Sequence, residues 1–102
     1  MVFTTLPDRE AALRLASALV ERRLAACVNV LAACTSVYRW QSALHREDEV
    51  PLIVKTRTAL FPALEAAILE LHPYEVPEVV AVPVASGAAA YLAWIDSETA
   101  EN

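Results

Sequence analysis

Apolar residues recur at three- and four-residue spacing in two stretches of the chain, a pattern that predicts two amphipathic helices. The first follows Asp8, whose side chain is suited to cap a helix N-terminus, and runs for about four turns to near Arg23. The second starts between Ala59 and Pro62, because proline is tolerated in the first turn of a helix. It ends at His72, since the next residue is proline.

Runs of β-branched and aromatic residues predict the strands. In chain order these are Val2–Thr5, Ala26 to about Gln41, Glu49–Thr56 and Glu78–Val84. Pro51 in the third strand implies an edge position or a bulge, because proline cannot donate to a ladder. A polar turn over Ser42 to Asp48 joins the second and third strands. These two strands should form a hairpin longer than the domain itself needs.

The order strand, helix, strand, strand, helix, strand predicts an α+β domain of the ferredoxin-like βαββαβ class. Two right-handed crossovers place both helices on one face of a four-stranded antiparallel sheet. A short helix over Ala88 to Ile95 and a polar tail over Asp96 to Asn102 follow. We expect residues 1–102 to form a single domain, because 102 residues are too few for two cores.

Composition narrows the classes of function. Apolar residues make up 57% of the chain, a surplus that a small domain accommodates best in a subunit interface. The net charge of −5 and the lack of a basic run argue against nucleic-acid binding. No signal peptide or membrane span is predicted. Cys27 and Cys34 are predicted to be free thiols, since an extended strand would hold them far apart, and this indicates the cytoplasm.

The segment His72–Glu78, called the elbow below, concentrates the candidate chemistry. Pro73 and Pro77 stiffen it, so its polar side chains should be held in fixed positions. His72 is a candidate metal ligand or proton-sensitive switch. The alternative is a cap packed at the helix C-terminus under the elbow. Glu75 and Glu78 are candidates for a weak, oxygen-rich cation site. Alternatively, Glu78 makes an ion pair with Lys55 or Arg39.

The remaining candidates have simpler interpretations. Cys27 has no neighbouring base in the sequence, so we expect it to pack as a small apolar residue rather than act as a nucleophile. Glu47, Asp48 and Glu49 have the composition of a metal-binding carboxylate cluster, but we expect them to be solvated, as consecutive charges at a hairpin turn usually are. Large aromatic side chains commonly anchor interfaces, and we assign that role to four of them. They are Tyr38, Trp40, Tyr91 and Trp94.

Five short pieces together carry a resemblance to a known family. They are Leu24–Asn29, Ser36–Gln41, Lys55–Thr56, the elbow with its H-P-Y-x-x-P-E run, and Tyr91–Ile95. In this order they closely resemble the divalent-cation tolerance protein family, CutA. The resemblance spans essentially the whole chain. It implies a ferredoxin-like subunit in a compact homotrimer, with long hairpins that pair between subunits and an architecture similar to PII signalling proteins.

The resemblance also implies a role in tolerance to divalent metals such as copper(II), and no enzymatic reaction. Copper ligands suggested in the family are a first-strand cysteine and a histidine pair before Pro-Tyr. Thr4, Leu71 and His72 occupy those positions here, so one histidine of that set is present. The turn after Gln41, which usually carries glycine in the family, has Ser42.

Three hypotheses follow, with no catalytic residue assigned. The first is a cytoplasmic homotrimer that binds a divalent metal or a small molecule in clefts between subunits, with the cleft lined by five residues. They are Lys55, His72, Tyr74, Glu75 and Glu78. The second is a PII-like signalling or interaction scaffold with no direct metal role. The third, an enzyme acting through Cys27 and His72, lacks a supporting motif.

Overall fold

The computed structural model describes residues 1–99. The strands are β1 (Val2–Leu6), β2 (Cys27–Val30), β3 (Cys34–Trp40), β4 (Ala43–Lys55) and β5 (Val80–Ala81). The helices are α1 (Arg9–Glu21), α2 (Phe61–Leu71), which follows a 3-10 turn at Thr58–Leu60, and α3 (Ala89–Glu98). Antiparallel strands combined with separate helices confirm the predicted α+β class.

The 13-residue strand β4 organises the sheet. Its C-terminal part lies between β1 and β2, and its N-terminal part pairs with β3 alone. The strand order is β2–β4–β1–β5, with every pairing antiparallel. At about 3.3 Å per residue, the length of β4 is similar to the longest dimension of the molecule, which is 44 Å.

The core lies between one face of this sheet and the helices α1 and α2. Alternate residues of β4, namely Val50, Leu52 and Val54, are at most 5% exposed and point into it. The helices contribute residues at the predicted three- and four-residue spacing. The buried helical residues of this cluster are Ala11, Ala12, Leu15, Leu19, Leu64, Ala67 and Ile68. Both helices therefore cover the same face and leave the other face of the sheet open.

Both long helices begin and end close to the predicted positions. The Asp8 carboxylate accepts a hydrogen bond from the Ala11 N–H at 2.8 Å, which confirms the cap of α1. This helix ends at Glu21, two residues earlier than predicted, and Arg23 adopts a positive φ of 59° just beyond it. The C-cap of α2 is His72, as predicted.

The prediction of one strand from Ala26 to Gln41 is wrong, because the chain forms β2 and β3 with a break between them. Val30 is opposite Leu52, whereas Cys34 is opposite Glu49. Four residue steps from β2 to β3 therefore correspond to three steps along β4, so the segment between β2 and β3 contains one extra residue. The insertion lies opposite Pro51, which cannot donate to the ladder, and this agrees with the predicted bulge.

The predicted polar turn over Ser42 to Asp48 is also wrong. The turn consists of Gln41 and Ser42, with φ angles of 50° and 65°, and β4 starts immediately afterwards. Two positive φ angles characterise the type I′ turn, whose twist suits a two-residue hairpin. Residues 43–48 are polar yet form a strand, because β3 supplies their ladder partners.

The end of the chain differs from the prediction in two ways. The last strand is two residues long instead of running from Glu78 to Val84. Helix α3 continues through Glu98, so residues 96–98 are not a frayed tail, and Thr99 beyond it is buried. The rest of the predicted tail, residues 100–102, lies outside the described residues. None of the helices described is long and apolar enough to cross a membrane.

Candidate functional site

A cleft of about 580 Å³ opens where the projecting hairpin of β3 and β4 meets the elbow. Its walls come from four segments that are distant in sequence. They are Thr5 from β1, Ser36, Tyr38 and Trp40 from β3, Glu47 and Glu49 from β4, and Pro73, Tyr74, Glu75, Val76 and Glu78 from the elbow. We call this set the cleft. It lies on the face of the sheet that the helices leave open.

The pleat of the hairpin places the polar and aromatic side chains on this face. Ser36 is opposite Glu47, and Tyr38 is opposite His45, so all four side chains point the same way. The rings of Tyr38 and His45 stack with their centroids 5.3 Å apart. The extra residue between β2 and β3 turns the even-numbered residues of β3 towards the open face, whereas Val28 in β2 packs against the core.

Glu49 connects three of the four segments that line the cleft. Its Oε2 atom accepts one hydrogen bond from the Tyr74 hydroxyl at 3.0 Å and another from the Thr5 hydroxyl at 3.1 Å. These donors belong to the elbow and to β1, while Glu49 itself lies on β4. A half-buried carboxylate with two hydroxyl donors is a well-satisfied acceptor. The elbow is thereby held against the base of the hairpin.

The cleft is electronegative. It contains the carboxylates of Glu47, Glu49, Glu75 and Glu78, and none of the described residues lining it is basic. Burial of the Tyr74 hydroxyl, followed by its hydrogen bond to Glu49 and the negative charges of Glu49 and Glu47, raises the pKa of this tyrosine well above its ordinary value. Such a site attracts cations.

His72 lies beneath the elbow rather than in the cleft and is 8% exposed. Its Nδ1 accepts a hydrogen bond from the Tyr74 N–H at 3.0 Å, which assigns the proton to Nε2. Nε2 then donates to the Thr5 carbonyl at 2.7 Å. Both ring nitrogens are therefore engaged with the backbone, and the ring sets the path of the elbow. This geometry corresponds to the packed C-terminal cap.

The positions of the copper ligands suggested in the family do not form a copper site in this chain. No lone pair of His72 is free for a metal, because Nδ1 accepts from the backbone and Nε2 carries the proton. Thr4 is buried in the core, and Leu71 is an apolar residue 39% exposed. Within residues 1–99, no three histidine, cysteine, aspartate or glutamate side chains are grouped closely enough to hold a metal ion. His72 as a metal ligand stays a prediction that requires a different arrangement of the elbow.

The five predicted cleft residues are only partly brought together. Tyr74, Glu75 and Glu78 line the cleft, whereas His72 lies under it. Lys55 is at the opposite end of β4, where its Nζ lies 5.7 Å from the centre of the Tyr91 ring. The five residues therefore do not form one site within this chain.

The four predicted interface aromatics form two separate pairs, each close to 40% exposed. Tyr38 and Trp40 lie on the hairpin, and Tyr91 and Trp94 lie on α3 with ring centroids 5.7 Å apart. Their role as interface anchors stays a prediction.

Sequence reasoning missed Glu47, Glu49, Thr5 and Ser36 as cleft residues. The two glutamates were assigned to a solvated turn, yet they belong to β4 and Glu49 is half-buried. Glu47, Glu49, Pro51 and Ile53 are spaced two residues apart, and this pattern indicates that all four lie on one face of a strand. Thr5 and Ser36 could not have been found in this way, because only the strand pairing brings them close to Glu49.

Three comparisons with known proteins agree. The profile of the CutA1 divalent ion tolerance protein family matches residues 1–98. The divalent-cation tolerance protein CutA of Thermus thermophilus is 48% identical over 97% of this chain and 96% of its own length. Protein CutA of Mus musculus is 43% identical over 95% of this chain, which spans 55% of the mouse protein. The solved structure of the Thermus thermophilus protein superposes with a TM-score of 0.94, covering 97% of this chain and 96% of that one.

Proposed function

Since the chain belongs to the CutA1 divalent ion tolerance protein family, we propose that it acts in divalent-cation tolerance as a non-enzymatic, cytoplasmic homotrimer. In this proposal the cleft binds small cationic ligands, including divalent metals such as copper(II), through its carboxylates. Binding is weak and poorly selective, because carboxylates alone provide no geometry that favours one metal over another. The alternative is a PII-like signalling or interaction scaffold without a ligand.

The observation that carries the proposal is that four carboxylates, Glu49 among them, line a single cleft. Four glutamates from two separate segments line a concave space of about 580 Å³, within the range of small-ligand sites. Glu49 is oriented by two hydroxyl donors, and the elbow is oriented by His72. A fixed, electronegative concave surface is better suited to binding a cation than a set of mobile surface carboxylates.

The homotrimer is supported by apolar surface that one subunit leaves uncovered. On the hairpin, Val37 is 63% exposed and Leu44 is 70% exposed, and near β5 Val80 and Val82 are about half exposed. Exposed apolar groups concentrated on particular elements mark interaction surfaces. The strand order β2–β4–β1–β5, with two helices on one face, supports the ferredoxin-like description of the subunit.

Titration calorimetry of the full chain with copper(II) and with zinc tests ligand binding. We expect saturable heat for the unmodified protein, and about a tenfold loss of affinity in the double variant Glu47→Gln/Glu49→Gln, since two charges near the ion are removed. Asp48→Asn is the matched control. It removes a carboxylate from the same strand but from the opposite face, so the affinity should be unchanged.

Two results would overturn this proposal. One is the absence of saturable heat with either metal, which would favour the scaffold. The other is an equal loss of affinity in Asp48→Asn, which would show that the hairpin attracts ions only through its overall charge.

A further inference from the structure

One basic residue lies on the open face of the sheet without an ionic partner among the described residues. Side chains alternate between the two faces of β4, and Val50, Leu52 and Val54 point into the core. Lys55 and Glu49 therefore both point to the open face. The ion pairs within residues 1–99 are Arg14–Glu10, Arg22–Glu70 and Arg23–Glu98. None of them includes Lys55 or a carboxylate of the cleft.

Lys55 cannot reach the cleft of its own subunit. Six residues of extended strand separate it from Glu49, which corresponds to about 20 Å at 3.3 Å per residue. The open face thus has a negative group of side chains at the hairpin end and a positive side chain at the other end. Phe3, Pro51 and Ile53 lie between them and are only half-buried.

The other basic residues are poor candidates to complete the cleft. Arg39 is opposite Leu44, and Arg46 is opposite Val37, so both lie on the hairpin face that points away from the cleft. Arg57 donates to the Thr99 carbonyl at 2.7 Å. The remaining arginines lie on α1 or just after it, on the helical side of the sheet. Among the lysine and arginine residues, only Lys55 lies on the open face of the sheet and next to the half-buried apolar residues there.

We propose that Lys55 of a second copy enters the cleft and pairs with Glu47 and Glu49, so that the complete site is shared between two subunits. This inference rests on the proposed homotrimer, and a metal ion bound at Glu47 and Glu49 has to displace the lysine from them. The donor and the acceptor are at opposite ends of one face, so each copy gives its lysine to one neighbour and receives one from the other. Such a head-to-tail contact forms a ring when the rotation between neighbours closes, as it does in a trimer. The five residues predicted from the sequence are then reunited around the same subunit interface.

The surroundings of Lys55 favour this role. The ring of Tyr91 lies 5.7 Å from its ammonium group, a cation–π arrangement that limits the freedom of the lysine side chain. Less conformational entropy is then lost when the ion pair forms. On the acceptor side, Glu49 uses only Oε2 for its hydrogen bonds to Thr5 and Tyr74 within residues 1–99. Its Oε1 atom is available for the lysine.

Zero-length carbodiimide crosslinking tests the contact directly. Unlabelled and ¹⁵N-labelled full chains are mixed, allowed to exchange subunits and crosslinked, and the peptides are identified by mass spectrometry. We expect peptides that join Lys55 to Glu47 or Glu49 with one light and one heavy partner. A crosslink of this kind cannot form within one chain, given the separation of about 20 Å.

Charge reversal tests the energetic role of the contact. Lys55→Glu should raise the concentration at which the trimer dissociates by about tenfold or more, as measured by sedimentation velocity, because like charges then meet at the interface. The double variant Lys55→Glu/Glu47→Lys restores the pair with its signs exchanged and should recover most of the loss. Arg39→Glu is the matched control, with the same charge change on the opposite face of the hairpin.

The outcomes separate this inference from the proposed function. A folded monomer in the unmodified protein overturns the homotrimer and the shared site together. A trimer without mixed-label crosslinks at Lys55, and without sensitivity to Lys55→Glu, overturns the shared site alone. If the crosslinks and the rescue are observed, the shared site stands even where calorimetry detects no metal binding.

Discussion

The two halves of β4 differ sharply although they belong to one continuous strand. In the core half, Val50–Lys55, every second side chain is buried and Leu52 is fully covered. In the projecting half, Ala43–Glu49, the same alternation continues, yet Leu44 is 70% exposed. The helices cover only the first of these regions. Strand formation is therefore set by ladder pairing along the whole of β4, whereas burial depends on which elements pack on the sheet.

Truncation of one leucine in each half should give the largest contrast. Leu52→Ala is expected to lower the free energy of unfolding by about 3 kcal/mol, because it removes buried methyl groups and leaves a cavity. Leu44→Ala should change the stability of a subunit by less than about 0.5 kcal/mol. Urea denaturation of both variants measures the difference.

The concentration dependence of the same measurement sharpens the comparison. If the projecting half is covered by a second copy, Leu44→Ala should weaken association even though the subunit itself is as stable as before. Equal losses of stability in both variants at every protein concentration would show that the distinction between the two halves is wrong.

The link between the halves is Glu49, and alkaline pH should weaken it. The Tyr74 pKa is raised in the folded protein by burial and then by its hydrogen bond to Glu49, whereas an unfolded tyrosine ionises at its ordinary value of 10.0. Above that pH the unfolded chain binds fewer protons than the folded one, so stability falls as the pH rises. Below it, this tyrosine adds no pH dependence.

Urea denaturation between pH 8 and pH 11 measures this effect. Tyr74→Phe should flatten the alkaline decline and cost about 1 kcal/mol at neutral pH, since a hydrogen bond to Glu49 is lost. Tyr91→Phe, at the opposite end of β4, is the control and should keep the decline of the unmodified protein. An unchanged slope in Tyr74→Phe would show that this hydroxyl does not couple the elbow to the hairpin.

The turn at the tip of the projecting half should give the smallest effect. Ser42 has a φ of 65°, a conformation that costs a residue with a Cβ atom more than it costs glycine. Ser42→Gly should therefore stabilise the hairpin by at most about 1 kcal/mol. Ser42→Ala, which keeps the Cβ atom, should bring no such gain, and a gain of equal size there would refute the explanation. Thermal denaturation measures both variants.

The candidate site could be predicted only in part, and the reason is the chain separation of its members. Tyr74, Glu75 and Glu78 were recognised because the two prolines of the elbow mark a stiff segment in the sequence itself. Glu49 was missed, since its importance depends on the hydroxyl groups of Thr5 and Tyr74, which come from other segments. No local pattern contains those two contacts.

The sequence by itself determined the helices, their caps, the alternating strand faces and the α+β class, because each depends on interactions between residues a few positions apart. Only the tertiary structure decided where the long strand breaks, which face Tyr38 and Trp40 occupy, and that His72 is bound through both nitrogens to the backbone. Because of the one extra residue opposite Pro51, the even-numbered residues of β3 point to the opposite face from the even-numbered residues of β2. Such a shift becomes visible only when the register of two strands is known, because a strand presents alternate residues to alternate faces whatever its own sequence.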